Sequence, residues 1–241
     1  MSIVISQPRF LPAANIFHRM QLCDTFVFLD TVQYTKRDYE NRTKVLTPQG
    51  ELWLTVPVIT LSQGQLLVDT KIDNSQNWRT KHLRTLEQSY KKRPFFNEIY
   101  PFLQEFYSQE WDLLVDMNIW AINTVTKHLG IGCRTIRSSE ILGRDSGYAG
   151  ESLLIEICKQ VGDTSYISGA NGRDYINLSS WKSAGISVRY HDYNPQPYSQ
   201  GGTDFVPWLS IIDMICAVGL SATKDLIAIN NFKSWQDLPT E

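Results

Sequence analysis

The sequence predicts an α/β protein: a mainly parallel, Rossmann-like sheet with helices on both faces, a β-hairpin extension and a mostly helical insertion. Three observations predict it. The chain opens with a short apolar strand, a loop, a helical stretch and a second apolar strand that ends on Asp30. Short apolar runs alternate with helical patterns again after residue 130. Between them, residues 76–130 carry their apolar side chains at helical spacing. Strands separated by helices imply parallel pairing through right-handed crossovers. The expectation is one domain over 1–241, with room for a helical subdomain over 76–130.

Ile3-Val4-Ile5 is the first strand and runs into the loop Ser6-Gln7-Pro8-Arg9-Phe10-Leu11-Pro12. Asn15 to Leu22 reads as the first helix, and Thr25 to Leu29 as the second strand. A polar block from Gln33 to Arg42 precedes a hairpin whose turn is Leu46 to Glu51, because Pro48 and Gly50 occupy turn positions. Residues 60–75 read as a loop or edge strand. Trp78, His82, Leu86 and Tyr90 recur every four residues, which predicts a helix over 76–92. Pro94 breaks it, and a second helix covers 94–106. A third is expected to start on Ser108 as N-cap and to stop at Gly130. Strands at 133–138, 165–168 and 186–190 follow, with a helix over 150–161 and a short helix or turn over 175–184. The Pro-rich loop 194–207 leads to a last helix over 208–218, with Pro207 in its first turn.

A net charge of −2, with basic residues spread along the chain, gives no field for nucleic acid. No apolar run approaches the roughly 20 residues that span a bilayer, so no membrane insertion is expected. Cys23, Cys133, Cys158 and Cys216 form no Cys-x-x-Cys pair, and Met1 leads directly into a strand. Both features point to a reducing cytoplasm. Aromatic residues make up 12% of the chain, which suits stacking on a sugar or nucleotide and equally suits a Trp-rich core.

Strand ends of an open α/β sheet are where such proteins bind ligands, so the candidates cluster there. The first loop lacks the glycines of a phosphate cradle, which leaves Gln7 and Arg9 to make contacts through their side chains. His18, about one turn into the first helix, reads either as a leaving-group stabiliser or as an ordinary helix histidine. Asp30 could accept sugar hydroxyls or act as a base, or simply start a turn. Lys36, Arg37, Asn41 and Arg42, with Gln33 ahead of them, offer cations and amides. Read as a strand, the block would put Arg37 and Asn41 on one face. Arginine forks grip phosphate or carboxylate, whereas Asp38 and Glu40 invite plain surface ion pairing. Trp78 and His82 could stack and donate toward a ligand or be a packed core pair. Tyr198 and Gln200, beside Gly201-Gly202, are candidates for a second wall. Asp213, in a helix apolar nearly all round, needs a buried partner. No metal-ligand spacing, Walker loop or Gly-x-Ser-x-Gly elbow is present.

The chain resembles the WbqC-like family. The resemblance rests on Gln7-Pro8-x-x-Leu11-Pro12, Asp24-x-Phe26-x-x-Leu29-Asp30-x-Val32-Gln33-Tyr34, Lys36-Arg37-x-Tyr39-x-Asn41-Arg42 and Trp53-Leu54-Thr55-Val56-Pro57-Val58. Later echoes include Trp78-x-x-x-His82, Tyr198-x-Gln200 and Phe205-x-Pro207-x-Leu209-Ser210-Ile211-x-Asp213. At Ala13-Ala14-Asn15 the chain departs from the family, which carries a Gly there. The resemblance implies surface-polysaccharide biosynthesis of the O-antigen kind, with a glycyl or other acyl group passed to an amino sugar. Two readings follow. In a transferase, Gln7, Arg37 and Arg42 hold a pyrophosphate or acyl donor, and His82 or Asp30 takes the amine proton. In a non-catalytic module, the same residues bind a nucleotide sugar or carrier for another enzyme. Either has a small-molecule ligand, a nucleotide sugar or acyl donor, and the first has room for an acyl carrier protein as partner. The residues call for no particular cofactor.

Overall fold

A computed structural model describes residues 1–228 apart from 61, 63 and 203, together with the backbone of 235–237. Leu61, Gln63 and Thr203, which belong to the expected loops, lie outside the described residues. The first half of the chain contains β1 (Ser2–Ser6), α1 (Ala14–Gln21), β2 (Thr25–Phe28), β3 (Arg42–Thr47), β4 (Gly50–Thr55), β5 (Val58–Ile59), β6 (Lys71–Ile72), α2 (Trp78–Tyr90), α3 (Phe96–Ser108) and α4 (Leu114–His128). The second half contains β7 (Arg134–Arg137), α5 (Ser138–Leu142), α6 (Gly150–Val161), β8 (Ser165–Gly169), α7 (Leu178–Ser183), β9 (Ser187–His191), α8 (Ile211–Ala228) and β10 (Trp235–Asp237).

The main sheet runs β10-β9-β8-β1-β2-β7, and every pair except β10 with β9 is parallel. Counted along the chain, the five parallel strands stand in the order third, second, first, fourth, fifth. That is the doubly wound order, in which the chain leaves the centre first to one side and then to the other. Ile3, Ile5 and Val27 pack on one face with Leu153, Ile157 and Trp181 from α6 and α7. Val4, Phe26 and Phe28 pack on the other face with α1, α8 and the helical segment α2–α4. Alternate residues of a strand point to opposite faces, so a strand covered on both sides must be apolar throughout, and β1 and β2 are. The hairpin β3–β4 pairs from Arg42 with Thr55 to Thr47 with Gly50, as its turn residues predict.

Four boundaries differ from the sequence reading. Ser108 closes α3 and donates back to the Glu105 carbonyl, while α4 starts at Leu114. The break arises because Leu113 bridges to Lys71 and the Leu114 N–H is taken by Thr70. The block after Gln33 is a series of turns and not a strand, so Arg37 and Asn41 share no face; Arg37 sits at φ 64. Trp208 is also left-handed, at φ 62, which removes it and Pro207 from the last helix. That helix begins at Ile211 and continues past a break at Gly219. The short helix α5, unforeseen, is built on Asp30, as described next.

Candidate functional site

In a doubly wound sheet the loops diverge where the strand order reverses, and a crevice opens at the carboxyl ends of the two strands on either side. Here those strands are β1 and β8. A cavity of about 540 Å³ lies there, reaching from Ser6 and Gln7 across Gly169 to Gly172 and on to His191 at the end of β9. Its polar and aromatic side chains come from several places, among them the end of β9, where His191 and Tyr193 flank the exposed carboxylate of Asp192. Gln7 and Arg9 stand on the loop after β1, and Asn15 and Arg19, one helical turn apart, stand on α1. Asn171 and Tyr175 follow β8, and Trp208 closes the rim. Gly172 is closely packed: a Cβ there would come within 2.0 Å of the Ser168 Oγ, so that side chain would have to turn away to admit any other residue.

Arg19 dominates the electrostatics. Its side chain is 8% exposed, with Nη1 donating to the Ser6 Oγ at 3.4 Å and Nη2 to the Ile5 carbonyl at 3.2 Å. Nε has no acceptor among the described residues, and no carboxylate pairs with the group there. Burial pulls its pKa down, and the charge of Arg9 adds to the effect. A guanidinium stays protonated nonetheless, so Arg19 is a desolvated cation that no carboxylate among the described residues pairs with. Beside it the His191 Nε2 lies 2.6 Å from the His18 Nδ1. Burial first, then Arg19 and His18, depress His191 to about 2, so this ring is neutral at pH 7. The positive charge of the cleft is therefore carried by its arginines. Trp208, 42% exposed, meets Tyr193 edge to face at 6.0 Å, and with exposed Tyr175 it leaves aromatic surface at the mouth.

Of the residues singled out in the sequence, Gln7 and Arg9 line this cleft, and His18 stands directly behind it. Asp30 is fully buried and accepts from the Ser138 and Ser139 hydroxyls and the Ser139 N–H at 2.7–2.9 Å. Its carboxylate caps the start of α5, which ties that helix to the end of β2. Gln33, Lys36 and Arg37 are exposed on the loop before the hairpin, and Arg42 lies over the Trp53 ring at 4.2 Å. Asn41 is buried and donates to the Val56 carbonyl. Trp78 and His82 are buried in the helical segment, where His82 touches Phe10 and Tyr107 and burial lowers its pKa to about 4. Tyr198 and Gln200 both donate to Asp213, at 2.7 and 3.3 Å. Burial raises the Asp213 pKa, and these donors oppose the rise.

Arg19, Asn15, Asn171, Tyr175, His191 and Trp208 escaped the sequence reading. The spacing of Asn15 and Arg19 was available as a signal, since residues four apart share a helix face. A basic residue in a helix is ordinarily solvated, however, and nothing local says that this one is buried. Glu40, read as a surface partner, is 2% exposed, its Oε2 has no partner among the described residues, and burial raises its pKa to about 7.

A WbqC-like protein family model matches residues 7–225. An uncharacterized protein of Mycobacterium tuberculosis, Rv1507c, is 31% identical over 223 residues, covering 91% of this chain and 95% of that protein. No solved structure matches. No helix among the described residues is long and apolar enough to cross a membrane.

Proposed function

This chain belongs to the WbqC-like protein family, and from that premise we propose that it is a transferase of surface-polysaccharide assembly. It holds a nucleotide-linked amino sugar by its diphosphate in the cleft between β1 and β8 and passes an acyl or aminoacyl group from an activated donor, such as an acyl thioester, to the sugar amine. The amide C–N bond forms as the thioester C–S bond breaks, the thiol leaves and the amine gives up a proton. The observation that carries this reading is Arg19, a buried cation that pairs with no carboxylate among the described residues, at the switch point of a doubly wound sheet. A bound diphosphate would supply the missing charge, with Arg9 as a second cation and Gln7, Asn15 and Asn171 as neutral donors. Trp208 and Tyr175 suit a base or sugar ring at the mouth.

Proton transfer from the amine needs a base near its working pH. His191 is held far too low for that role and acts as a neutral hydrogen-bonding wall. Glu40, whose pKa burial raises to about 7, is itself buried and does not border the cleft, so it is not placed to take the amine proton. The second reading, a binding module that presents the nucleotide sugar to another enzyme, draws on the same cleft and needs no base.

The test is a thermal-shift panel of nucleotide sugars, acyl-coenzyme A and ATP, followed by mass spectrometry of the sugar after incubation with an acyl donor. A nucleotide sugar should raise the melting temperature, and Arg9→Gln and Arg19→Met should each remove most of that shift. No shift with any nucleotide sugar would sink both readings. A shift without any change in sugar mass in the wild type would leave the binding module.

A further inference from the structure

We propose that the N-terminus of α2 forms a second oxyanion site, separate from the cleft between β1 and β8, that takes the phosphate group of a small organic ligand. A cavity of about 390 Å³ lies against this helix end, bounded by Asn74 to Asn77, Arg79, Thr80 and Tyr107. The first N–H groups of a helix have no acceptor within it, and the macrodipole makes that end positive. Proteins usually answer with a capping side chain or an acidic residue in the first turn. Here Asn77, directly ahead of α2, makes no capping hydrogen bond, and the first turn of this thirteen-residue helix contains no acid.

Two side chains sharpen the case. Tyr107, 5% exposed, reaches the cavity from α3, and its hydroxyl has no hydrogen-bond partner among the described residues. Burial pushes that hydroxyl well above its ordinary pKa, so it is a donor at any working pH. A buried hydroxyl without a partner is destabilising, and an acceptor in the cavity would offset that cost. Arg79 lies in the first turn and lines the same space, and its Nε and Nη2 are also without acceptors. Those two nitrogens form one edge of the guanidinium, the edge that grips two oxygens of a phosphate or carboxylate side by side. The Asp73 carboxylate, ahead of the helix, is engaged by Ser75 and Gln76. The helix end, Arg79 and Tyr107 therefore border one space. The Trp78 N–H is already bonded to the Gln76 carbonyl, which leaves the N–H groups of Arg79 and Thr80, the guanidinium and the phenol as the donors for a tetrahedral anion. The volume leaves room for an organic substituent on it.

Hydrogen exchange followed by mass spectrometry reads this helix end locally. The full chain is compared with and without inorganic phosphate, in sodium chloride of matched ionic strength. Phosphate at about ten times its dissociation constant should slow the amides of residues 79–81 about tenfold. The slowing should disappear in Arg79→Gln, weaken in Tyr107→Phe and persist in Arg9→Gln, whose lesion is in the other cleft. Absence of slowing in the wild type, or equal slowing in Arg79→Gln, would overturn the site. If Arg79→Gln does not fold, Tyr107→Phe decides, since it removes one oxygen and little else; protection equal to wild type would then overturn it. Equal protection by acetate would overturn the assignment to phosphate.

Discussion

Burial makes a carboxyl group hold its proton to higher pH, and Glu40 shows the consequence for stability. Its pKa rises from an ordinary 4.5 to about 7, chiefly through burial, with Asp38 raising it further and Arg9 opposing. The folded state therefore binds a proton that the unfolded chain has lost between those values. The stability this group contributes is fully present below about 4.5 and is lost as the pH rises through about 7. Glu40→Gln should be nearly neutral at pH 4 and should make the protein more stable than wild type at pH 8, by up to roughly 3 kcal/mol. Urea melts of both proteins at the two pH values check this; a difference that does not change with pH would refute it. His82 works in the opposite sense. Burial depresses its pKa to about 4, so the stability it contributes is present above the ordinary 6.5 and falls away as the pH drops through about 4. Residue identity alone could not foretell either shift. Glu40 sits in a charge-rich stretch that reads as solvated, and only the packing of the hairpin and loop around it removes the water.

Among the elements, α8 shows where a helix must not be regular. Gly219 interrupts it at φ 83, and a Cβ at that position would meet the Phe95 ring at 2.8 Å. Phe95 begins the approach to α3, and its N–H donates to the Cys216 carbonyl of α8. The break thus lets α3 and α8 close on each other. Gly219→Ala is expected to destabilise by more than the roughly 1 kcal/mol that a strain-free Gly→Ala change would gain, because both the backbone and the ring must move. Chemical denaturation measures it, and a neutral or stabilising result would mean that the ring yields freely. The strands β1 and β2 were legible because a strand covered on both faces must be apolar. The start of α4 was not, because Ser108 is as good a C-terminal residue as an N-cap. Long-range contacts with β6 chose between the two.

For the whole molecule, the consequential fact is the strand order. It brings the loop after β1, the face of α1 bearing Asn15 and Arg19, and the end of β9 to one crevice, although His18 and His191 are 173 residues apart. A nucleotide sugar that binds only this assembled crevice should stabilise the fold as a unit. At about one hundred times its dissociation constant the gain is about 2.7 kcal/mol. Urea titration should show that gain as a higher midpoint with an unchanged slope, and a changed slope would mean that the ligand alters how much surface unfolds. The sequence by itself determined the fold class, the hairpin, the helical segment and the loop after β1 that carries Gln7 and Arg9. Each of these is written in local periodicity and turn chemistry. Only the tertiary structure decided that Arg19 is a buried cation in the cleft and that Asp30 caps a helix. It also showed Tyr198 and Gln200 holding Asp213. The physical reason is the same throughout: the chemistry of an ionisable or polar side chain depends on who removes its water and who answers its hydrogen bonds, and those neighbours come from distant parts of the chain.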